Sequence, residues 1–417
     1  MRVNNMNCGL IGEKLGHSFS KIIHGMLTDY DYELCEVARE ELSDFLTKRE
    51  FKAINVTIPY KEEVIPYLYS IDAAAKEIGA VNTVVNRDGR LYGYNTDFFG
   101  LRKLIAHMGV ELACRKVAIL GTGGTSKTAR AVAGGLGARE VLLVSRSAKD
   151  GAVSYGELYE KHTDVEVIIN TTPAGMYPRC YDEPIDISCF PALIAVVDAV
   201  YNPLRTPLVR AALARDIVAE GGLYMLVAQA VRASEIFLDK TYPEETVDKI
   251  YGKLLKEREN IVLVGMPASG KSTVGRILAE MSGRELVDTD ELVESRTGVS
   301  ISELFAMRGE GYFRDLETEA VREAGAVGGR IIATGGGAVL RAENIDALRA
   351  NGRIYFIDRP LSELIPTSSR PLSSDRESIE RRYNERYDIY CEVCDCHVKV
   401  KGDARSVAEE IMENFGK

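Results

Sequence analysis

The chain has 417 residues, 46% of them hydrophobic and 27% charged, so it is long enough for two or three domains with large cores. Its net charge of −10 and pI of about 5.3 argue against nucleic acid or an anionic membrane as the main partner. No apolar run is long enough to span a bilayer, and the first residues lack the apolar core of a signal peptide. The eight cysteines show no regular spacing, which is typical of proteins whose thiols stay reduced. We therefore expect a cytoplasmic protein.

Short apolar runs that read as strands alternate with amphipathic helical stretches along the chain. The runs are Cys8–Ile11, Ala53–Ile58, Val117–Leu120, Val141–Val144, Val167–Ile169, Ala195–Val197, Ile261–Val264, Ile331–Ala333 and Ile354–Ile357. Such alternation is typical of parallel strands joined by helices. We predict an α/β protein built on parallel sheets.

The first glycine-rich loop follows the predicted strand Val117–Leu120. It reads Gly121-Thr-Gly123-Gly124-Thr125-Ser126 and fits the dinucleotide-binding fingerprint, with a small serine at the third glycine position. The next strand ends in Ser145 and Arg146, followed by Lys149. A cofactor with a free ribose 2′-hydroxyl needs an acid there, whereas Arg146 and Lys149 suit the 2′-phosphate of NADP. The predicted NADP-binding residues are Gly121, Gly123, Gly124, Thr125, Ser126, Ser145, Arg146 and Lys149.

A second glycine-rich loop, Gly265–Ser272, follows the strand Ile261–Val264 and fits the G-x-x-x-x-G-K-[ST] phosphate-binding pattern. In such a loop, backbone N–H groups surround a phosphate, the lysine binds the β- and γ-phosphates, and the hydroxyl binds Mg²⁺. The predicted ATP-binding residues are Gly265, Ser269, Gly270, Lys271, Ser272 and Thr273.

Two nucleotide loops in one chain indicate two enzymatic halves. The charged, helical stretch Thr246–Asn260 is the predicted junction. We predict one half over 1–255, with 1–100 and 222–250 for substrate binding and 101–221 for NADP binding, and a second half over 256–417. A fragment beginning near Glu257 is then expected to fold on its own.

The first half carries an ordered series of short motifs. They are Gly16–Ser20, Asn55–Lys61, Gly79–Thr83, Tyr94–Gly100, Asn170–Met176, Asp198–Pro203 and Gly221–Gln229. Over residues 6–250 this series resembles shikimate dehydrogenase. The resemblance implies an N-terminal α/β substrate domain, a Rossmann domain, and hydride transfer between NADP(H) and the 3-dehydroshikimate/shikimate pair. One departure is Lys21, which stands where the family usually has proline.

The resemblance also implies roles for single residues. Lys61 and Asp97 match the family's catalytic pair, an ammonium near the reacting oxygen and a carboxylate that orients it or shares its proton. Ser18 and Ser20 match the hydroxyls that hold the substrate carboxylate. The other implied substrate contacts are Thr57, Asn82, Tyr201 and Gln229.

The second half carries further motifs after its phosphate loop. They are Val287–Asp290, Phe313–Arg314, Ala333–Gly337, Arg370–Leu372 and Arg386 with Tyr390. Together with the loop they resemble shikimate kinase over residues 258–417. The resemblance implies a P-loop domain with a parallel sheet, like the nucleoside monophosphate kinases, and phosphorylation of shikimate with ATP and Mg²⁺.

In the implied kinase site, Lys271, Asp288 and Asp290 are catalytic, and Asp288 joins Ser272 in the Mg²⁺ shell. The implied substrate-binding residues are Asp290, Arg314, Gly335, Gly336, Gly337 and Arg386. Arg370 would close a lid over the nucleotide. An arginine that usually precedes it in the family is replaced by the stretch 364–369. We expect Arg381 and Arg382 to be solvated helix residues.

The two implied activities are consecutive, since the product of the first is the substrate of the second. We therefore predict a bifunctional enzyme of aromatic amino acid biosynthesis that makes and phosphorylates shikimate. The alternatives are a regulatory protein that senses shikimate or quinate without turnover, and a reductase of quinate-type ring acids. The oligomeric state is left open.

Overall fold

The computed structural model describes residues 6–15, 19–27, 30–148, 151–365 and 375–416. By its contacts the chain divides into two compact units, Met1–Asn202 with Ala211–Lys253, and Pro203–Arg210 with Leu254–Lys417. The functional division at residues 255/256 stays a prediction. The structure adds that Pro203–Arg210 packs with the second unit.

The first unit begins with a sheet in the order β2-β1-β3-β5-β6-β4. Its strands are β1 Met6–Gly12, β2 Tyr32–Glu36, β3 Phe51–Val56, β4 Ser70–Ile71, β5 Thr83–Arg87 and β6 Arg90–Tyr94. The helices beside it are α1 Ser20–Leu27, α2 Leu42–Lys48, α3 Ala73–Ile78 and α4 Thr96–His107, with α8 Leu223–Leu238 from later in the chain. Helices α4 and α8 pack closely at Gly100, where a Cβ would lie 2.7 Å from the Met225 carbonyl oxygen.

This sheet is mixed, so the prediction of parallel sheets is wrong for it. Strand β5 is antiparallel to both β3 and β6. The pairing of β5 with β6 follows from a two-residue hairpin, Asp88-Gly89, in which both residues have positive φ (52° and 80°). An Asp-Gly pair favours this turn because glycine, and to a lesser degree aspartate, tolerates left-handed backbone.

The second sheet of the first unit is parallel throughout, in the order β11-β10-β9-β7-β8. Its strands are β7 Lys116–Leu120, β8 Glu140–Val144, β9 Val167–Asn170, β10 Ala195–Asp198 and β11 Val218–Glu220, and its helices are α5 Gly124–Gly135 and α6 Tyr155–Lys161. The helix α7, Pro207–Leu213, begins in the segment assigned to the second unit and ends in the first. Every residue of β7, β9 and β10 is buried, as expected for parallel strands covered on both faces.

The second unit holds a parallel sheet in the order β13-β14-β12-β15-β16. Its strands are β12 Asn260–Val264, β13 Leu286–Asp288, β14 Ile331–Ala333, β15 Gly352–Asp358 and β16 Cys396–Lys399. Its helices are α10 Lys271–Ser282, α11 Thr289–Thr297, α12 Ile301–Ala326, α13 Ala342–Asn351, α14 Arg376–Val393 and α15 Ala404–Gly416. The strand β12 places Val262 and Val264 in one core and Ile261 and Leu263 in another, because successive side chains point to opposite faces.

The predicted junction forms the helix α9, Thr246–Arg258. None of the helices within the described ranges is long and apolar enough to cross a membrane.

Candidate active sites

Lys61 and Asp97, the pair predicted to be catalytic in the first unit, form an ion pair. Lys61 lies in the turn after β3, and its Nζ is 2.5 Å from Oδ2 of Asp97 in the first turn of α4. The Asn95 side chain caps this helix by accepting from the Phe98 N–H. The two side chains are largely buried, with 17% and 6% of their surfaces exposed. The ammonium group is therefore held in a fixed place, with little water around it.

Two of the predicted substrate contacts meet beside this pair. Asn82 is 4% exposed and donates from Nδ2 to Thr96 Oγ1 (3.1 Å) and to Gln229 Oε1 (3.4 Å). Its Oδ1 accepts from the Thr96 N–H at 2.7 Å. Because Thr96 directly precedes Asp97, this network fixes the amide groups relative to the Asp97 carboxylate.

The remaining predicted contacts lie at three places in the first unit. Thr57 follows β3, and its N–H donates to the Ile11 carbonyl. Ser20 is the first residue of α1. The Tyr201 ring packs against Phe19 with ring centroids 5.4 Å apart, and burial raises the pKa of Tyr201. The prediction for Ser18 lies outside the described residues.

The predicted NADP loop and Lys61 line one cleft, with a volume of about 1320 Å³. Gly121 has φ +107°, and a Cβ there would lie 2.9 Å from Thr171 Oγ1, so the position requires glycine. The two glycines that follow in the loop, Gly123 and Gly124, face open space, with nothing within 4 Å of a Cβ. Gly123 caps the N-terminus of α5, where N–H groups favour a phosphate.

The cleft continues past Ser145 and Arg146 at the end of β8. Arg146 is exposed and supplies a cation where the ribose phosphate of NADP is expected. Thr125 lines the same cleft, whereas Ser126 is 1% exposed and donates from its hydroxyl to the Gly123 carbonyl. Ser126 therefore stabilises the loop through this hydrogen bond rather than by lining the cleft. Lys149 lies outside the described residues.

Sequence reasoning missed two side chains of this cleft, Arg179 and Tyr155. Burial raises the pKa of Tyr155, although the nearby Arg146 acts in the opposite direction. Arg179 lies 3.5 Å from Asp182. The sequence around Arg179 carries no pattern that would have indicated its place.

The phosphate loop of the second unit has the backbone that its glycines predict. Gly265 has φ +149°, and a Cβ there would lie 2.7 Å from the Ile357 carbonyl oxygen. Gly270 has φ +96° and caps α10. Lys271 Nζ donates to the carbonyls of Gly265 and Met266 at 2.9 Å each. Its ammonium group therefore lies against the loop itself.

The loop and the end of β13 bring together a hydroxyl and a carboxylate. Ser272 Oγ donates to Asp288 Oδ2 at 2.6 Å, and Asp288 Oδ1 accepts from the Asp290 N–H at 3.0 Å. Such oxygen ligands fit Mg²⁺, which binds few protein groups and takes the rest from water and phosphate. The Ser269 Oγ is buried without a hydrogen-bond partner in the described ranges, and Thr273 is exposed in the first turn of α10. These residues fit a bound nucleotide.

A cavity of about 370 Å³ adjoins this loop. The three predicted glycines form one wall. A Cβ on Gly335 would lie 2.5 Å from both Asp290 Oδ1 and Glu317 Oε1, and one on Gly337 would overlap the Arg314 guanidinium. The absence of side chains at these positions therefore makes room for charged groups from other elements.

Arg314 is held by two glutamates, Glu310 and Glu317, neither of which sequence reasoning identified. Its Nη1 donates to Glu317 Oε2 at 2.6 Å and its Nη2 donates to Glu310 Oε1 at 2.9 Å. Burial alone would lower the pKa of Arg314, but the two carboxylates outweigh it and raise that pKa. Glu317 is 1% exposed, and burial raises its pKa despite the arginine. The sequence does contain a signal for this pairing, because Glu317 stands three residues after Arg314 and the two side chains therefore share one face of a helix.

The helix α14 contributes two arginines to the cavity. Arg386, which is predicted to bind the substrate carboxylate, lines the cavity and donates from Nη1 to the Gly336 carbonyl at 3.1 Å. The prediction that Arg382 is solvated is wrong, since it is 8% exposed and also lines the cavity. Arg381 is exposed, as predicted. The reason is periodicity, because Arg382 lies one turn from Arg386 on the buried face of the helix. The prediction for Arg370 lies outside the described residues.

Comparisons with known proteins find matches to two parts of the chain. A model of the shikimate dehydrogenase substrate binding domain matches residues 10–84, and a model of shikimate kinase matches residues 267–415. A shikimate dehydrogenase (NADP(+)) of Clostridium beijerinckii is 34% identical over 258 residues, which are 58% of this chain and 96% of that protein.

Two crystal structures are similar to the first part of the chain. Shikimate dehydrogenase 1 from Peptoclostridium difficile is 35% identical with a TM-score of 0.56, and a chorismate mutase/shikimate 5-dehydrogenase fusion protein from Clostridium acetobutylicum is 35% identical with a TM-score of 0.57. Each match covers 60% of this chain and 98% of the other. The chain belongs to the shikimate dehydrogenase family, carries a shikimate kinase domain behind that part, and is a bifunctional oxidoreductase and kinase of the shikimate pathway that uses NADP and ATP.

Proposed function

We propose that the first unit reduces 3-dehydroshikimate to shikimate with NADPH, and that the second unit transfers the γ-phosphoryl group of ATP to the 3-hydroxyl of shikimate. The observation that supports the first activity most directly is that Lys61 and the loop Gly121–Thr125 line one cleft. The second is supported by one cavity lined by Ser272, Asp288 and Asp290 together with arginines.

In the first unit, the reduced carbonyl oxygen needs a proton donor beside it, because it gains negative charge as hydride arrives. NADPH supplies that hydride when bound. Lys61 donates the proton from Nζ. Asp97, 2.5 Å from that nitrogen, keeps the ammonium group oriented. Asn82 and Gln229 bind ring hydroxyls through their amides, and Ser18 and Ser20 bind the carboxylate.

In the second unit, the reaction depends on positioning and on neutralising charge rather than on covalent chemistry. ATP supplies the phosphoryl group when bound, and Ser272 and Asp288 would hold the Mg²⁺ ion that would neutralise the charge of its phosphates. Asp290, across from Gly335, holds the ring hydroxyl that attacks. Arg314 and Arg386 bind the carboxylate of shikimate, and Lys271 binds the nucleotide phosphates.

We propose a cytoplasmic setting without nucleic-acid or membrane partners. All eight cysteines are free thiols, which suits a reducing compartment. The net charge of −10 disfavours anionic polymers and surfaces.

A coupled assay tests both proposed activities. Purified protein receives 3-dehydroshikimate, NADPH and MgATP, and loss of NADPH and formation of ADP are followed separately. We expect NADPH loss without ATP present, and ADP formation that requires either shikimate or prior reduction. Quinate in place of shikimate tests the alternative substrate. ADP formation that ignores shikimate would refute the kinase assignment.

A further inference from the structure

A relay of hydrogen bonds, Tyr32–Asn55–Thr83–Asn82, leads through the first unit to one of the two amides proposed to bind ring hydroxyls. The Tyr32 hydroxyl donates to Asn55 Oδ1 at 2.7 Å. Asn55 Nδ2 donates to Thr83 Oγ1 at 3.0 Å, and Thr83 Oγ1 lies 3.1 Å from Asn82 Oδ1. Tyr32, Asn82 and Thr83 are at most 4% exposed, so water competes little for these bonds.

Backbone groups fix the direction of both amides in the relay. The Thr96 N–H can only donate, and it lies 2.7 Å from Asn82 Oδ1, so that atom has to be the amide oxygen. The Asn82 carbonyl can only accept, and it lies 3.3 Å from Asn55 Nδ2, so that atom has to be the amide nitrogen. Turning either amide over would place two donors or two acceptors against each other.

These directions determine what the Thr83 hydroxyl does. Its oxygen accepts from Asn55, so its single proton points to the other side, where Asn82 Oδ1 and Thr96 Oγ1 lie at 3.1 and 3.2 Å. Because Thr96 Oγ1 in turn donates to Asn82 Oδ1 at 3.2 Å, both routes end at that oxygen. Burial raises the pKa of Tyr32, so the hydroxyl at the start of the relay keeps its proton and remains a donor.

We propose that Thr83 is a positioning residue of the dehydrogenase, which holds Asn82 so that its amide nitrogen, and not its oxygen, meets the substrate. The inference rests on the proposed reduction of 3-dehydroshikimate, in which Asn82 binds a ring hydroxyl. Thr83 acts on Asn82 Oδ1 and does not itself touch the substrate. Without the Thr83 hydroxyl, Asn82 Oδ1 would keep, of its described contacts, those with Thr96, and the amide would be held less firmly.

The relay also defines the chemical class of group that Asn82 can bind. Its Nδ2 donates to Gln229 Oε1 at 3.4 Å, which is long for a hydrogen bond. A ligand oxygen can replace Gln229 there and accept the same N–H. A hydroxyl or carbonyl oxygen fits this position, whereas an ammonium group, which only donates, does not.

The test compares Thr83→Val with Thr83→Ser in the full-length protein. Valine keeps the shape of threonine without its hydroxyl, and serine keeps the hydroxyl without the methyl group. We expect Thr83→Val to raise the KM for 3-dehydroshikimate about 5-fold, within the range for one neutral hydrogen bond, with a smaller effect on kcat. Thr83→Ser should restore most of the lost binding. Thr83→Ala takes the place of Thr83→Val if the valine variant does not fold.

Two controls accompany these variants. The binding of NADPH, followed by its fluorescence, should be equal in the parent and in both Thr83 variants, which shows that the first unit is folded. Thr47→Val changes an exposed threonine of α2 in the same way and should leave the KM for 3-dehydroshikimate unchanged. A KM that is raised as much in Thr83→Ser as in Thr83→Val would overturn the inference, because the methyl group and not the hydroxyl would then be responsible.

A double-mutant cycle shows whether Thr83 acts through Asn82. The KM for 3-dehydroshikimate is measured for Asn82→Ala, for Thr83→Val and for the protein with both changes. If Thr83 acts through Asn82, the protein with both changes binds no more weakly than Asn82→Ala. Fully additive effects would overturn the inference and leave the proposed function standing.

Deoxy analogues of shikimate separate positioning from a general structural role. Each analogue lacks one ring hydroxyl and is measured as an inhibitor of the parent and of Thr83→Val. The analogue without the hydroxyl that Asn82 binds should inhibit both proteins equally, and the others should bind Thr83→Val more weakly. Equal weakening of every analogue would contradict the positioning role. A parent protein that does not reduce 3-dehydroshikimate would overturn the proposed function, and this inference with it.

Discussion

Lys61 Nζ and Asp97 Oδ2 lie 2.5 Å apart, although the two residues are 36 positions apart in the chain and belong to different elements. The turn after β3 and the N-terminus of α4 bring them together. Because the carboxylate holds the ammonium group toward the cleft, each residue depends on the other for its geometry.

The first prediction concerns this pair. Lys61→Ala should lower kcat for 3-dehydroshikimate reduction by about 10²-fold or more, the range for a lost general acid. Asp97→Asn should lower it as well, because the amide no longer fixes the ammonium group. Kinase activity of the same preparations is the control for folding. Reduction at the parental rate by Lys61→Ala would remove this lysine from the mechanism.

The second prediction concerns the choice of cofactor. Arg146 is the exposed cation at the end of β8, where no acid stands, so Arg146→Ala should raise the KM for NADPH by about 10-fold or more and leave that for NADH nearly unchanged. Arg130→Ala is the control, since Arg130 is exposed on α5. Steady-state kinetics with both cofactors give the answer. Equal use of NADPH and NADH by the parent would contradict the role given to Arg146.

The third prediction concerns the glycine wall of the kinase cavity. A Cβ on Gly337 would overlap the Arg314 guanidinium, which Glu317 and Glu310 hold in place. Gly337→Ala should therefore displace Arg314 and raise the KM for shikimate about 10-fold or more, in the range of a lost charge-assisted contact. Gly311→Ala is the control because a Cβ there meets nothing within 4 Å. An unchanged KM in Gly337→Ala would mean that Arg314 is free to move without loss of binding.

The fourth prediction concerns pH and His24, which lies inside the first unit. Its ring stacks on Tyr32 with centroids 3.9 Å apart, and burial lowers its pKa from 6.5 to about 3. Between these values the unfolded chain binds the proton and the folded chain does not. The contribution of neutral His24 to the free energy of unfolding is therefore fully present above about pH 6.5. It decreases as the pH falls, by up to about 1.4 kcal/mol per pH unit.

His24→Phe keeps the stacking and removes the titrating group. We expect the urea midpoint for loss of dehydrogenase activity to fall between pH 7 and pH 5.5 in the parent, and to fall less in His24→Phe. The same decrease in both proteins would show that other groups cause the pH dependence.

Sequence patterns predicted the strands well where burial on both faces makes them continuously apolar, as in β7 and β12. They also placed both nucleotide loops, because strand, glycines and helix follow one another in the chain. They did not predict the mixed first sheet, which depends on the Asp88-Gly89 hairpin, or the burial of Arg382. The charge of Arg382 led to the prediction that it is solvated. Its four-residue spacing from Arg386 instead puts it on the buried face of the helix. Glu317 was missed because its role comes from a pairing with Arg314 rather than from a motif of its own.

The segment Pro203–Arg210 belongs to the second unit although 43 residues of the first unit, Ala211–Lys253, follow it. Within the second unit, Arg205 Nη2 donates to the buried Glu259 at 2.6 Å, and the Leu204 N–H donates to Asn351 Oδ1 at 2.9 Å. A cut near Glu257, between the dehydrogenase-like and kinase-like parts of the chain, would therefore separate Glu259 from Arg205. Among the described ion pairs of Glu259, only the one with Arg353 would remain in the kinase fragment. We expect a kinase fragment that begins near Glu257 to unfold at lower urea than the same sequence in the whole chain. The continuous stretch Leu254–Lys417 therefore lacks a segment that its own unit contains in the whole chain, so that a kinase piece cut out by sequence similarity alone is not the folded unit that the whole protein holds.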